Sequence, residues 1–363
     1  MPGSSIGQRL VLTSFGESHG ICVGAVLDGC PAGLELDEKD IQKMLDLRKP
    51  GQSLVSTQRK EEDKVEILSG VFRGYTTGAP IAMIIWNADH DSRAYEQLKT
   101  KMRPGHSDYP ALIKYKKFND FRGGGRFSGR LTATHVMGGA IARKLLKTTL
   151  GIETNSYTLQ IGKIRLSKVT QQMMKMIYSN EVRCPDKNTA KKMRNIILAA
   201  RKKGDSLGGV IESVTTNPPV GLGEPIFGSL ESDLGKALYS IPAVKGIEFG
   251  SGFAGAEAFG SQNNDPYMVK NGKVVTKTNN AGGILGGLSN GMPIVLRIAF
   301  KPASSILKKQ TTIDIKTKKP TSLQVTGRHD PCVVPRAPPV VDSLVSLVLA
   351  DHALQGGFIK PVL

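Results

Sequence analysis

Predicted helices and strands follow one another in this chain without the regular β-α-β order of a parallel sheet. This irregular order is the sequence feature that most restricts the fold classes open to the chain. Branched and apolar residues predict strands at 65–72, 81–86, 210–215, 247–249 and 294–300. Apolar spacing and end signals predict helices at 37–50, 132–150, 188–203 and 341–354. The mixture favours an α+β sandwich over a doubly wound sheet. Because no internal repeat or low-complexity linker divides the chain, we expect one domain over 1–363.

Glycine and proline are frequent, with 41 Gly and 20 Pro among 363 residues. They follow no fixed period, which excludes a collagen-like repeat and predicts many tight turns and close backbone approaches. A stretch rich in Gly and Asn covers 254–287 and is too long for a simple connection. Its AGGILGG segment fits either an approach to a ligand or a set of packed turns.

The chain has 49 Lys and Arg against 31 Asp and Glu, a formal charge of +18. That charge suits either a nucleic acid or a small substrate with several negative groups. A single Trp, 6% aromatic residues and no zinc-finger or RNA-binding motif argue against nucleic acid. Lysine runs are typical of solvated surfaces, whereas several arginines lie in turn-forming segments that suit anion binding. These are Arg48, Arg59, Arg103, Arg122, Arg126, Arg130, Arg328 and Arg336.

The sequence has no apolar run of membrane-spanning length and no signal-peptide pattern at its start. Its four cysteines form neither a CxxC pair nor a zinc-ligand spacing. We therefore expect a cytoplasmic protein with reduced thiols and no membrane contact.

Four glycine- or proline-rich segments also carry histidine, serine, aspartate or arginine: GESHG (16–20), RPGHSDY (103–109), RGGGRFSGR (122–130) and GRHDPCVVPRAPP (327–339). His19 and His106 lie in turns beside hydroxyl residues, where an imidazole can remain accessible to substrate. The glycine run at 122–130 is typical of a phosphate cradle. A P-loop, a dinucleotide-binding GxGxxG after a strand, and an HExxH zinc motif are all absent, so no metal is expected.

Taken together, these segments resemble the chorismate synthases from Ile6 to Gly356. The likeness also includes RKPGQS, TQRKEED, LSGVFRG, TTGAPI, GSQN, NNAGGILGG, KPASS and LADH, in the order of the family. It implies a single-domain β-α-β sandwich and a lyase that converts 5-enolpyruvylshikimate 3-phosphate to chorismate and phosphate by anti-1,4-elimination. That reaction belongs to the shikimate pathway of aromatic amino acid biosynthesis and requires reduced FMN.

The resemblance further implies a homotetramer. It leaves the source of electrons open between NADPH and an external reductant, and the absence of a long insertion favours the external reductant.

The resemblance also implies roles for individual residues. His19, with Ser18 beside it, would protonate the departing phosphate, and His106 would stabilise negative charge on the reduced flavin. Asp351 is the first choice for a carboxylate that relays a proton near flavin N5, and Asp330 is the second. Arg48, Arg130 and Arg336 would bind the substrate. The expected FMN contacts are Arg126, Phe127, Ser128, Ala243, Gly286, Lys301, Pro302, Ala303, Ser304, Ser305 and Arg328.

Two positions depart from the family pattern in ways that affect binding. Phe127 stands where serine is usual, so only its backbone could bind FMN as the family serine does. Leu54 stands where arginine is frequent, so one anion contact is expected to be missing.

Overall fold

The computed structural model describes residues 3–51, 53, 55–56, 62–87, 96, 98–116, 118–325 and 329–363. Within these ranges the chain forms eight α-helices. They are α1 (Glu38–Arg48), α2 (Asp108–Tyr115), α3 (Thr132–Leu150), α4 (Gln171–Met174), α5 (Lys187–Lys202), α6 (Leu230–Leu238), α7 (Gly260–Asn263) and α8 (Pro338–Gln355). Short 3₁₀ helices at Arg122–Phe127, Gly129–Leu131 and Val334–Arg336 lead into α3 and α8.

The described strands form two large antiparallel sheets and four small hairpins. The strands are β1 (Ser5–Ile6), β2 (Val11–Gly16), β3 (Cys22–Asp28), β4 (Glu66–Ile67), β5 (Val71–Phe72), β6 (Tyr75–Thr76), β7 (Ile81–Trp86), β8 (Glu153–Ile161), β9 (Ile164–Arg165), β10 (Gly209–Thr216), β11 (Val244–Phe249), β12 (Tyr267–Lys270), β13 (Lys273–Thr276), β14 (Ile284–Leu285), β15 (Leu288–Ser289), β16 (Ile294–Phe300), β17 (Gln310–Asp314) and β18 (Lys319–Leu323). The first sheet has the order β1-β2-β3-β7-β4, and the second has the order β11-β16-β10-β8-β9.

A layer of helices separates the two sheets. Helix α3 packs against β2 and β3 of the first sheet, whereas α8 packs against β8 and β10 of the second. The two helices also pack against each other, and α8 is buried on every side, as its run of apolar residues requires. One continuous apolar core passes through both sheets and the helices between them. The β-α-β sandwich expected from the sequence is confirmed.

The helix boundaries follow from their end residues. Asp37 caps α1 by accepting hydrogen bonds from the backbone N–H groups of Lys39 and Asp40. Gly151 ends α3 in the left-handed conformation, with φ of 66°. The prediction is confirmed for α1 and α3, whereas α5 begins one residue and α8 three residues earlier than predicted.

The single strand predicted at 65–72 is wrong. Gly70 has φ of 82°, and the chain turns there, separating β4 in the first sheet from β5 in a small hairpin. The stretch at 254–287 is also more ordered than a loop, because it contains α7 and the hairpin of β12 and β13. Across the ranges that the structure describes, we find no helix long and apolar enough to cross a bilayer.

We predict that Gly139→Ala destabilises the fold by about 1–3 kcal/mol through overpacking. A β-carbon at Gly139 would lie 2.2 Å from Cβ and 2.5 Å from the carbonyl oxygen of Ser343, so α3 and α8 would have to separate. Gly235 in α6 has open space around it, and Gly235→Ala should be neutral or slightly stabilising. Urea unfolding measures both variants, and equal midpoints would contradict close α3–α8 packing.

Candidate active site

A cavity of about 600 Å³ opens where the helix layer meets the second sheet. The C-terminal end of α1, the approaches to α3 and α8, and the ends of β11 and β16 all reach it. Its lining comes from Arg48 and Pro50, from all of 239–245 and 300–305, and from parts of 103–107, 123–132 and 329–340. A volume of this size is typical of a small-molecule or cofactor site.

Positive side chains dominate the lining. They are Arg48, Arg103, Arg126, Arg130, Lys245, Lys301 and Arg336. Among the described lining residues, Asp330 is the only acidic one. The cavity therefore favours a ligand with several negative charges.

The guanidinium groups of Arg48 and Arg130 are joined by a carboxylate that the sequence reasoning missed. Arg48 Nη1 lies 3.0 Å from Asp63 Oδ2, and Arg130 Nη1 binds Asp63 Oδ1. Burial alone would raise the pKa of Asp63, but the charges of Arg48 and Arg130 hold it below its usual value. Asp63 lies in the TQRKEED motif, which contains three acidic residues, and local sequence does not indicate which one points inward.

Arg48 has little capacity left for a ligand. Its Nε donates to Thr132 Oγ1, and its Nη2 donates to the carbonyl oxygens of Gly129 and Arg130. With the bond to Asp63, at least four of its five N–H groups are used within the protein. Arg48 therefore serves mainly to join the end of α1 to the start of α3.

Arg336 is better placed to bind a ligand. Its Nη1 lies 2.6 Å from Asp330 Oδ2, and its Nε donates to the carbonyl oxygen of Arg48 at 3.1 Å. Neither hydrogen of Nη2 is used by a described residue. Arg336 therefore has donors available at the cavity wall beside Asp330.

A run of three glycines brings the two predicted histidines together. Gly123, Gly124 and Gly125 all have positive φ, of 58°, 85° and 51°. A β-carbon on Gly123 would lie 2.2 Å from His19 Cδ2, and one on Gly124 would lie 3.6 Å from His106 Cε1. Glycine suits the positive φ of the whole run, and at Gly123 it is also required by the close approach of His19, so His19 and His106 lie beside the same stretch of backbone.

His19 is almost completely buried, with 3% of its surface exposed, and contacts the glycine run rather than the open cavity. Ser18 lies beside it, because its Oγ would be 2.7 Å from a β-carbon on Gly123. Asn87, at the end of β7, donates from Nδ2 to the carbonyl oxygens of Glu17 and Gly20 and accepts from Arg130 Nε. Asn87 thus connects the His19 turn to the arginine cluster.

His106 belongs to a network that orients its ring. Its Nδ1 lies 2.6 Å from Asp108 Oδ1, and Arg103 binds both oxygens of Asp108. Burial alone would raise the pKa of Asp108, but hydrogen bonds from Arg103 and His106 lower it strongly. An ionised Asp108 favours a proton on Nδ1. Neither Asp108 nor Asn87 was predicted, since neither stands out in sequence without its contacts.

The 301–305 loop is held against the turn that carries His106. Lys301 Nζ donates to the carbonyl oxygen of Gly105 and to Ser304 Oγ, at 2.8 and 2.6 Å. Ser305 Oγ accepts a hydrogen bond from Arg103. The predicted residues Lys301, Pro302 and Ala303 line the cavity together with both serines.

Other predicted cofactor residues also line the cavity. Arg126 donates to Ser4 Oγ, Phe127 is 41% exposed, and Ser128 accepts from the backbone of Arg130. Ala243 has φ of 75° and accepts a hydrogen bond from the backbone of Lys301. The lysines, hydroxyls and glycine backbone in this wall suit a flavin that carries a phosphate group.

Four of the described predicted residues do not line the cavity: Ser18 and His19, which lie behind the glycine run, and also Asp351 and Gly286. Asp351 accepts hydrogen bonds from the backbone N–H groups of Gln8, Arg9 and Leu10, at 2.7–3.0 Å. Through these contacts Asp351 holds the turn between β1 and β2 in place. They do not support the expected role of Asp351 as a proton relay. Gly286 lies in the turn between β14 and β15 and does not line the cavity. Arg328 and Leu54 lie outside the described residues.

Comparisons with known proteins agree with this geometry. The family model for chorismate synthase matches residues 10–354. The chain is 53% identical over 356 residues to the chorismate synthase of Korarchaeum cryptofilum, covering 98% of both chains. It is 51% identical over 372 residues to that of Methanocaldococcus jannaschii, covering 99% of this chain and 98% of the other. A crystal structure of chorismate synthase superimposes with a TM-score of 0.76 at 30% identity, covering 96% of this chain and 93% of that one. The chain therefore belongs to the chorismate synthase family and is a lyase.

Proposed function

We propose that this chain converts 5-enolpyruvylshikimate 3-phosphate to chorismate and phosphate by anti-1,4-elimination, with reduced FMN bound in the same cavity. The observation that carries the proposal is a cavity lined by seven arginines and lysines and one described carboxylate, beside two histidines at a glycine run. The substrate has one phosphate and two carboxylates, which this charge pattern suits. The same pattern on a concave wall favours a small anion over nucleic acid.

The substrate's anionic groups would bind between Arg130 and Arg336. Arg130 is held by Asp63 and Asn87, and Arg336 has donors available at the wall. Arg48 supports both, since its side chain binds the backbone at 129–130 and its carbonyl oxygen accepts from Arg336. Such fixed donors orient the substrate and exclude water from its charged groups.

His19 would act as the general acid for the departing phosphate. Imidazole is the side chain best suited to transfer a proton near neutral pH. Its burial and the contact with Gly123 hold the ring in one place, and Ser18 supplies a hydroxyl beside it. Gly123 allows the backbone to lie against the ring, since a β-carbon there would be 2.2 Å from His19 Cδ2.

Reduced FMN, when bound, supplies transient electron density that assists loss of the phosphate from carbon. The residues that would hold it are Arg126, Phe127, Ser128, Ala243, Lys301, Pro302, Ala303, Ser304 and Ser305. Lys245 adds a further positive charge to that wall. His106, oriented through Nδ1 by Asp108, would place its Nε2 toward negative charge that develops in the cavity.

Asp330 replaces Asp351 as the carboxylate that would relay a proton. Asp330 lines the cavity and lies 2.6 Å from Arg336, whereas Asp351 is fully used by backbone donors. A group that takes part in proton transfer must lie where the substrate reacts, and of these two carboxylates only Asp330 lines the cavity.

We further propose that the chain forms a homotetramer in the cytoplasm. Its flavin would receive electrons from an external reductant rather than from NADPH. Among the large apolar side chains exposed in the described chain, five within residues 253–274 are each at least 66% exposed, and this grouping supports a subunit interface there. They are Phe253, Phe259, Tyr267, Val269 and Val274.

The function is tested by an anaerobic assay with chemically reduced FMN and 5-enolpyruvylshikimate 3-phosphate. We expect release of phosphate and formation of chorismate in equal amounts, and none with oxidised FMN. A parallel reaction with oxidised FMN and NADPH tests whether the chain reduces its own flavin. Absence of phosphate release with reduced FMN in stoichiometric excess would refute the proposed reaction.

Replacing His19 or His106 with alanine should lower kcat by about 10²- to 10⁴-fold, because each loses its proton-transfer or charge-stabilising group. His352 serves as a control, since it binds Asp233 away from the cavity. His352→Gln should keep the kcat of the wild type per folded molecule, as measured by stopped-flow absorbance. Wild-type turnover in either of the first two variants would remove that histidine from the mechanism.

Asp330→Asn and Asp351→Asn should separate catalysis from stability. We expect Asp330→Asn to lower kcat by about 10²-fold or more with little change in unfolding. Asp351→Asn should keep kcat but lose about 1–3 kcal/mol of stability, because charged hydrogen bonds to three backbone N–H groups are weakened. Thermal unfolding and initial rates measure the two effects, and the reverse pattern would restore Asp351 as the relay.

A further inference from the structure

Asp63 stands out because its carboxylate connects two arginines of the cavity while having no contact with solvent. Its side chain is 0% exposed, and those of Arg48 and Arg130 are 3% and 6% exposed. Each carboxylate oxygen binds a different guanidinium group. The bridge therefore sets the distance between Arg48 and Arg130 directly.

The backbone around Asp63 holds the carboxylate in place. Its φ of 50° is a left-handed conformation that few residues other than glycine, asparagine and aspartate adopt readily. The side chain of Gln42, in α1, donates from Nε2 to the carbonyl oxygen of Asp63 and accepts from the backbone N–H of Val65. The turn that carries Asp63 is thus attached to the same helix that carries Arg48.

The negative charge of Asp63 stabilises the two buried guanidinium groups. Two guanidinium groups removed from water repel each other, and an ionised carboxylate between them offsets this repulsion. The charges of Arg48 and Arg130 keep Asp63 ionised, as its lowered pKa indicates. Without the carboxylate, Arg48 would keep its bonds to Thr132 and to the backbone at 129–130, whereas Arg130 would be repelled by Arg48 and would lose its orientation at the cavity wall.

We propose that Asp63 is a positioning residue: held by Arg48, it orients Arg130 for the anionic groups of the substrate. This inference rests on the proposed function, because it assumes that the cavity binds 5-enolpyruvylshikimate 3-phosphate. Asp63 does not line the cavity and acts only through the two arginines. Its loss should therefore weaken substrate binding more than it slows the chemical step.

Asp63→Asn is a suitable test because asparagine has the same shape, tolerates the left-handed backbone and lacks the charge. We expect the KM for 5-enolpyruvylshikimate 3-phosphate to rise by about 10- to 100-fold, as for other supporting partners of binding residues, with kcat changed much less. Calorimetric titration of the substrate into flavin-free protein should show a matching loss of affinity.

Asp342→Asn is the matched control. Asp342 is also buried and lies 3.2 Å from a guanidinium group, that of Arg143, but it does not line the cavity. Burial raises the pKa of Asp342 to about 6. The control should change stability without changing KM or substrate affinity, which separates a positioning role from a general loss of folding.

Wild-type KM and affinity in folded Asp63→Asn protein would overturn the inference, as would equal losses of affinity in Asp63→Asn and Asp342→Asn. Failure of the wild-type chain to release phosphate would instead overturn the proposed function. In that event, the titration still decides whether Asp63 controls binding of this anion.

Discussion

The close contact between α3 and α8 determines where every part of the cavity can lie. Gly139 allows the two helices to approach until a β-carbon would overlap Ser343, and the pair then separates the two sheets by a fixed distance. Both helices begin at the cavity, where their preceding turns supply Arg130 and Arg336. The positions of these arginines therefore follow from packing between helices as well as from their own contacts.

A continuous set of polar contacts then connects the segments around the site. The His19 turn binds Asn87, Asn87 binds Arg130, and Asp63 joins Arg130 to Arg48. On the other side, the 301–305 loop is attached through Gly105 to the turn of His106. Groups that are fixed before a ligand arrives lose little freedom when it binds, and this favours both affinity and catalysis.

Local signals in the sequence were sufficient for several elements. Asp37 marks a helix start because its side chain accepts hydrogen bonds from the first turn, and Gly151 marks a helix end because it adopts the left-handed backbone; both boundaries were predicted correctly. The motifs around His19 and His106 were also informative, because glycine beside a histidine indicates a turn.

Local signals cannot show which distant group a side chain contacts. Asp351 is separated from its backbone donors by more than 340 residues, and its position in the LADH motif suggested a catalytic role rather than a structural one. Asp63 was missed for the same reason, since its partner Arg130 is 67 residues away.

The glycine run at 123–125 tolerates almost no substitution, because it packs against the buried ring of His19. Any side chain at Gly123 would place an atom in the space of His19 and would have to adopt a backbone conformation with φ of 58°. Compensation would require moving a buried ring and the turn attached to it. Substitutions that adjust activity are therefore expected at the more exposed residues that follow, such as Phe127, and not at the glycines themselves.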